Sequence, residues 1–145
     1  MNELLVKQIK EIVDPSLPLV SNLANVSAIL FRQENINWAG FYLVKENTLY
    51  LGPFQGDIAC TIIPIGKGVC GTSFKEKKTI IVDDVSKFDG HIACSSLSRS
   101  EIVTPIIKDD KVVAVIDIDS PILNRFDLED KKVLEAIAVI LSNLF

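Results

Sequence analysis

The period of the apolar positions changes along the chain, and each change marks a new kind of element. Over residues 3–13, Leu4, Leu5, Ile9 and Val13 fall near helical spacing and predict a short amphipathic helix. Asp14-Pro15 and Leu17-Pro18 end it, because the residue before a proline is pushed out of the helical region. A second helical stripe runs from Leu19 to Arg32 through Leu19, Leu23, Val26, Ile29 and Leu30, with Asn22, Asn25 and Ser27 on other faces. From Ile36 the pattern turns to strand. INWAGFYLV is rich in aromatic and β-branched residues, Glu46-Asn47 is a turn, and TLYLGPF returns as the second arm of a hairpin. Ala59–Ile65 reads as a third strand. Ile65-Gly66-Lys67-Gly68 bends into a helix over roughly Val69–Glu76, and Thr79–Val82 is a short strand. Residues 83–99 form a long polar connection, a length that usually carries function in a compact domain. Glu101–Ile107 and Lys111–Asp119 form a second hairpin around Asp109-Asp110. Phe126–Phe145 closes the chain as a helix, with Asp127 as N-cap and Asp130 three residues on. This order predicts an α/β (α+β) fold, a mainly antiparallel central sheet flanked by N- and C-terminal helices.

Composition narrows the class. A chain of 145 residues is one domain of ordinary size, expected to span 1–145 with residues 1–18 as a helical extension. Apolar residues at 48% and charged residues at 23% exclude disorder, collagen and a disulfide-stapled miniprotein. A net charge of −4 leaves no basic footprint for nucleic acid or an anionic membrane. No apolar run is long enough to span a bilayer. MNELLVKQIK lacks the apolar block of a signal peptide, so the expected location is cytoplasmic.

Three stretches look wrong for plain core. Asp117 and Asp119 end the strand VVAVIDID on one face, behind Val113 and Val115. Carboxylates at the end of an apolar row are unfavourable unless paired or used; the alternative is that the strand ends there and both are solvated. Glu101 lies on the partner strand. A two-residue turn at Asp109-Asp110 pairs it with Ile118, on the opposite face. A three-residue loop, or a bulge near Pro105, pairs it with Asp117 instead and gathers Glu101, Asp117 and Asp119 into one acidic cluster. Such a cluster suits an ammonium or a metal ion. Crowding also raises carboxyl pKa values, so that one acid can hold a proton near neutrality, as general-acid chemistry needs.

The cysteines are the other signal. Cys60, Cys70 and Cys94 are odd in number and include no CxxC pair, which argues against a structural disulfide set. A Cys3His zinc site with His91 is arithmetically open, but such sites usually contain a tight Cys pair, so no metal is expected. Buried, inert thiols are the plain alternative. Cys94 lies in the polar segment FDGHIACSS, where a partly exposed thiol is a liability unless it reacts. His91 would lower the pKa of that thiol if folded back; otherwise it only caps a turn. Cys60 ends GDIAC at a strand edge. Cys70 follows GKG at the start of a helix, a position that lowers a thiol pKa and whose N–H groups can cradle a carboxylate. Trp38 and Tyr42 are four apart in the first strand and so share a face. They are either sheet core or an aromatic wall for a small apolar group or a methylated sulfur.

In this order the segments INWAGFYL, LGPFQGDIAC, IGKGVCGT, FDGHIAC, SEIVTPI and VIDIDS resemble the free methionine-(R)-sulfoxide reductases, a family built on a GAF fold. The likeness covers about residues 20–145. It implies reduction of the R-sulfoxide of free methionine, not of methionine within proteins. In the family pattern Cys94 matches the nucleophile, Cys60 the cysteine that closes a disulfide with it, and Cys70 a third that takes part in recycling less consistently. Trp38 and Tyr42 match the wall around the methyl group; Glu101, Asp117 and Asp119 match the pocket for the sulfoxide oxygen and the ammonium. Thioredoxin is the implied reductant, a homodimer the implied assembly, and no cofactor is called for. A GAF-type ligand sensor would share the fold but not the thiol chemistry, and a dimerisation module would leave the acidic cluster unexplained.

Overall fold

The computed structural model describes residues 1–90 and 97–145; the expectations for His91 and Cys94 fall outside the described residues. The elements are α1 (Glu3–Ile12), α2 (Leu19–Phe31), β1 (Trp38–Lys45), β2 (Thr48–Gly56), β3 (Ile62–Pro64), α3 (Gly68–Glu76), β4 (Ile80–Val82), a 3-10 turn (Val85–Lys87), β5 (Ser100–Lys108), β6 (Lys111–Ser120) and α4 (Leu128–Ser142). The strands form one antiparallel sheet in the order β3-β2-β1-β6-β5-β4. Among the described residues no helix is long and apolar enough to cross a membrane.

Strand alternation divides the core in two. Ala39 and Phe41 of β1, Ile102 and Ile106 of β5, and Ala114, Ile116 and Ile118 of β6 face α1, α2 and α4. Fully burying an aliphatic or aromatic side chain of this size contributes about 1.5–3 kcal/mol, so this layer anchors the sheet. Trp38 and Tyr42 of β1, Val103 of β5 and Val112 and Val115 of β6 face the other way, beneath α3, β3 and the 3-10 turn. The second layer holds the polar residues of interest.

Most boundaries agree with the sequence pattern to within two residues, and the differences have local causes. The third strand is shorter than expected, because the segment before it is tied down by side chains rather than by a ladder. The Trp38 indole N–H donates to the Asp57 carbonyl (3.0 Å) and the Tyr42 hydroxyl to the Cys60 carbonyl (2.9 Å). Helix α4 starts at Leu128, after Phe126 rather than with it. Asp127 caps it in a reciprocal box with Asp130, through bonds of 2.9 and 3.1 Å. Two polar residues of α2 are buried rather than solvated. The Asn22 amide bonds the Asp14 backbone at both N–H and carbonyl (2.8 Å each), closing the turn between α1 and α2. The Ser27 hydroxyl bonds the carbonyls of Leu23 (2.8 Å) and Pro53 (3.0 Å).

Two irregularities in the sheet set the register. Between β1 and β2 the pairing shifts after Gly40↔Phe54 to Tyr42↔Leu51, so β2 carries an extra residue at Gly52-Pro53. Proline cannot donate to a ladder, which suits a bulge there. Between β5 and β6 the turn is the two-residue Asp109-Asp110 connection, both with positive φ (51° and 62°), the geometry of a tight hairpin. The pairing then slips from Ile107↔Val112 to Ile106↔Ala114. The bulge thus lies in β6, at Val113, and not in β5 near Pro105. Glu101 consequently pairs with Asp119, where the sequence offered Ile118 or Asp117. Val113 also turns to the helix-covered layer, so Val112 and Val115, not Val113 and Val115, precede the two aspartates on their face.

Gly40 lies between Trp38 and Tyr42 on the α3-covered face. A Cβ there would come within 2.3 Å of the Phe54 Cβ and 2.9 Å of the Pro53 carbonyl. This close approach lets Phe54 stack on Trp38, with ring centroids 5.1 Å apart. Gly40→Ala should therefore destabilise the fold by about 1–3 kcal/mol, the usual range for overpacking, read as a lower urea midpoint. An unchanged midpoint would mean that β2 is free to back away from β1.

Candidate active site

Three adjacent strands bring the acids together. On β6, Asp117 lies beside Gly40 and Asp119 beside Trp38 of β1; on the other side Asp119 faces Glu101 of β5. Helix α3 closes over them and places Cys70, the third residue of its first turn, against the same group. The sulfur of Cys70 and one oxygen each from Glu101 and Asp117 lie within 4.8 Å of one another. Trp38 and Tyr42 form the wall of the cavity, with ring centroids 6.0 Å apart and planes inclined by 22°. The space they enclose is about 50 Å³. A water needs about 10–15 Å³ of such space, so a few waters or one small charged group fit.

The two aromatic residues have a second task. Their hydrogen bonds to the carbonyls of Asp57 and Cys60 hold the segment that carries Cys60 next to the wall. Cys60 itself is half-buried.

Burial sets the electrostatics. It is the largest cause holding the Glu101 carboxyl well above the usual range, and the charges of Asp117 and Asp119 add to it. Asp119 is likewise raised by burial and then by Asp117, against a hydrogen bond from the Ser98 hydroxyl (3.0 Å). Asp117 is also raised by burial, opposed by hydrogen bonds from Glu101 and Cys70. Crowding was the expected cause; desolvation is the larger one. The group therefore favours a shared proton over three full charges. Tyr42 is pushed upward by burial and by Asp117, which keeps its hydroxyl a donor.

Cys70 departs from its sequence expectation. A helix N-terminus lowers a thiol pKa, but here burial, followed by the charges of Asp117 and Glu101, raises it well above the ordinary value. Cys70 is a free, buried thiol.

Among the described residues, three buried side-chain oxygens have no hydrogen-bond partner: Asp117 Oδ1, Asp119 Oδ1 and Asn37 Oδ1. Unsatisfied acceptors of this kind are costly, so the two aspartate oxygens at the cavity call for a donor from a ligand. Sequence reasoning missed part of this shell. The Asn37 amide donates to Ser98 (3.2 Å), whose hydroxyl donates to Asp119, and Lys67 lines the cavity mouth. Ser98 is one of several serines in a polar connection, and nothing in its spacing singles it out. Lys67 was not singled out either: the GKG segment pointed only to the backbone N–H groups at the start of α3. Among the described residues, Trp38, Tyr42, Cys70, Glu101, Asp117 and Asp119 line one cavity, and Cys60 is outside that lining but joined to it through the Tyr42 hydroxyl.

Comparison with known proteins agrees with this architecture. The GAF domain family model matches residues 8–144. The chain is 51% identical over 114 residues to the free methionine-R-sulfoxide reductase of Escherichia coli, covering 78% of this chain and 69% of that protein. Among solved structures, fRMsr of Staphylococcus aureus in its reduced form superposes with a TM-score of 0.93 at 52% identity, covering 99% of this chain and 94% of that one. Free methionine-R-sulfoxide reductase from Neisseria meningitidis, in complex with its substrate, superposes with a TM-score of 0.92 at 43% identity, covering 97% and 86%. The chain belongs to the free methionine-(R)-sulfoxide reductase family of GAF-domain proteins.

Proposed function

We propose that this chain reduces free L-methionine-(R)-sulfoxide to L-methionine, with Cys94 as the attacking thiolate. The observation that carries the reading is the buried acidic group with unpartnered oxygens, set against an aromatic wall in a chain of this family. Asp117 and Asp119 offer acceptors to the substrate ammonium. The first-turn N–H groups of α3 and the Lys67 side chain at the cavity mouth suit its carboxylate. Trp38 and Tyr42 suit the S-methyl group.

A sulfoxide sulfur accepts a nucleophile only when its oxygen is protonated, and a buried acid that keeps its proton near neutrality can supply one. Glu101 and Asp119 fill that role in the proposal. The oxygen passes from the substrate sulfur to Cys94, releasing methionine and leaving a sulfenic acid. Cys60 condenses with the sulfenic acid; water leaves and a disulfide forms. The hydrogen bond from Tyr42 to the Cys60 carbonyl supports this role by tying the second thiol to the substrate wall. An external dithiol, thioredoxin in this proposal, reduces the disulfide, and Cys70 serves as an auxiliary thiol in recycling. The proposal places the enzyme in the cytoplasm as a homodimer, and exposed Val20 and Val139 offer apolar surface on its helices.

Cys94→Ser should lose at least tenfold in methionine release with no change in thermal unfolding, because a hydroxyl is a weak nucleophile without a base. A serine variant that kept more than a tenth of the wild-type rate would remove Cys94 from the attacking role. The pocket should also discriminate by charge. N-acetylation or a peptide bond removes the ammonium that the aspartates accept, so N-acetyl-methionine sulfoxide should react at least about tenfold more slowly, and equal rates would sink the pocket assignment.

The carboxyls carry a pH signature. If the reactive acid must be protonated, the wild-type rate of the chemical step declines as pH rises through its raised pKa. Glu101→Gln or Asp119→Asn keeps shape and hydrogen bonding but removes the transferable proton. For at least one of the two, single-turnover efficiency should drop at least about tenfold and the high-pH decline should be lost. If both variants match wild type in rate and profile across pH 5–9, the cluster has no part in proton transfer.

A further inference from the structure

The same cavity also presents a set of metal-ligating donors. A thiol and two carboxyls from three different elements, α3, β5 and β6, meet at one point, and all three residues are buried. Asp117 is only 6% exposed, and its Oδ1 has no hydrogen-bond partner. Asp119, on the same face, holds a second unpartnered oxygen. We propose that Cys70, Glu101 and Asp117 form a binding site for a thiophilic divalent cation of the zinc class, and that the bound ion closes the pocket to the amino-acid substrate.

The geometry favours that class of ion. Zinc bonds a thiolate sulfur at about 2.3 Å and carboxylate oxygens at about 2.0–2.2 Å, so tetrahedral ligand atoms lie roughly 3.3–3.7 Å apart. The three donor atoms here lie within 4.8 Å of one another. An inward movement of about 1 Å by rotation of the side chains brings them to bonding distance. A sulfur ligand disfavours magnesium and calcium, which prefer all-oxygen shells, whereas the fourth position can be filled by Asp119 or water. The cavity of about 50 Å³ has room for the ion and a water. Binding is a proton exchange: the Cys70 thiol and any carboxyl that holds a proton each release one, and no electron is transferred. Because Asp117 and Glu101 also belong to the proposed substrate pocket, ion and substrate compete.

The first test reads binding without turnover, so the existence of the ion site is judged independently of the reductase proposal; only the claim of competition rests on it. In the Cys60→Ser/Cys94→Ser double variant Cys70 is the sole thiol. Cadmium, used alone as the probe, should give a cadmium–thiolate charge-transfer band that saturates at one ion per chain and is displaced by zinc. Asp117→Asn and Glu101→Gln in that background keep the thiol and the shape of the pocket, and each should weaken the ion at least tenfold. Their circular dichroism checks folding, and either variant alone decides the point. A band that fails to saturate at one equivalent, or that keeps its affinity in either folded amide variant, would overturn the three-ligand site. In wild-type protein reduced beforehand and freed of excess thiol, zinc should raise KM for methionine sulfoxide in a single-turnover assay without lowering the maximal rate. Tight binding with no effect on KM would overturn the claim that the ion closes the pocket.

Discussion

Desolvation of a polar group beneath α3 is the constraint on which the site depends. Glu101, Asp117 and Asp119 are gathered on one sheet face, and helix α3, which brings Cys70 against them, seals them together with two aromatic rings. Out of water, three charged carboxylates would repel strongly, so the group retains protons and leaves acceptors unsatisfied. Both properties serve chemistry: a retained proton is an acid, and an unsatisfied acceptor is a binding site for a cation. An arrangement this unfavourable persists because the opposite face of the same strands is anchored in the helix-covered core.

That anchoring is a matter of alternation. Ile102 faces α4 while Glu101 and Val103 face α3; Ile116 and Ile118 face the helices while Asp117 and Asp119 face the cavity. A slip of one residue in either strand would exchange the two sets, which makes every competing register costly. The bulge at Val113 is what reconciles the tight Asp109-Asp110 turn with this phase. It lets the hairpin close with two residues and still bring Glu101 opposite Asp119.

The aromatic wall links the pocket to the neighbouring segment that carries Cys60. Trp38 and Tyr42 each turn a ring to the cavity and a polar atom to the chain between β2 and β3. The stack continues to Phe54 only because Gly40 allows β1 and β2 to approach closely. Pocket shape and the position of Cys60 are therefore set by the same pair of side chains.

The sequence by itself determined the elements and the two-faced character of the sheet. The 3.6-residue stripe of Leu19 to Leu30, the strand alternation of VVAVIDID and the Asp127/Asp130 cap each act over a few residues, and such signals survive into the folded chain. It also marked Trp38 with Tyr42 and Asp117 with Asp119, because strand periodicity places each pair on one face without knowledge of the partner, whereas Glu101 joined the aspartates in only one of the registers left open. What it left open was every quantity that depends on a distant neighbour. The pairing of Glu101 turned on a bulge whose position is decided by packing between β5, β6 and the helices, and the strand expected at Ala59 yielded to hydrogen bonds from residues about twenty positions away. Ser98 and Asn37 joined the site across 61 positions of chain. Local chemistry at the start of α3 argued for a lowered thiol pKa at Cys70, and tertiary burial beside Asp117 reversed it. A helix terminus acts through its own first turn, whereas desolvation is set by all the atoms that surround a group, and only the folded chain decides which atoms those are.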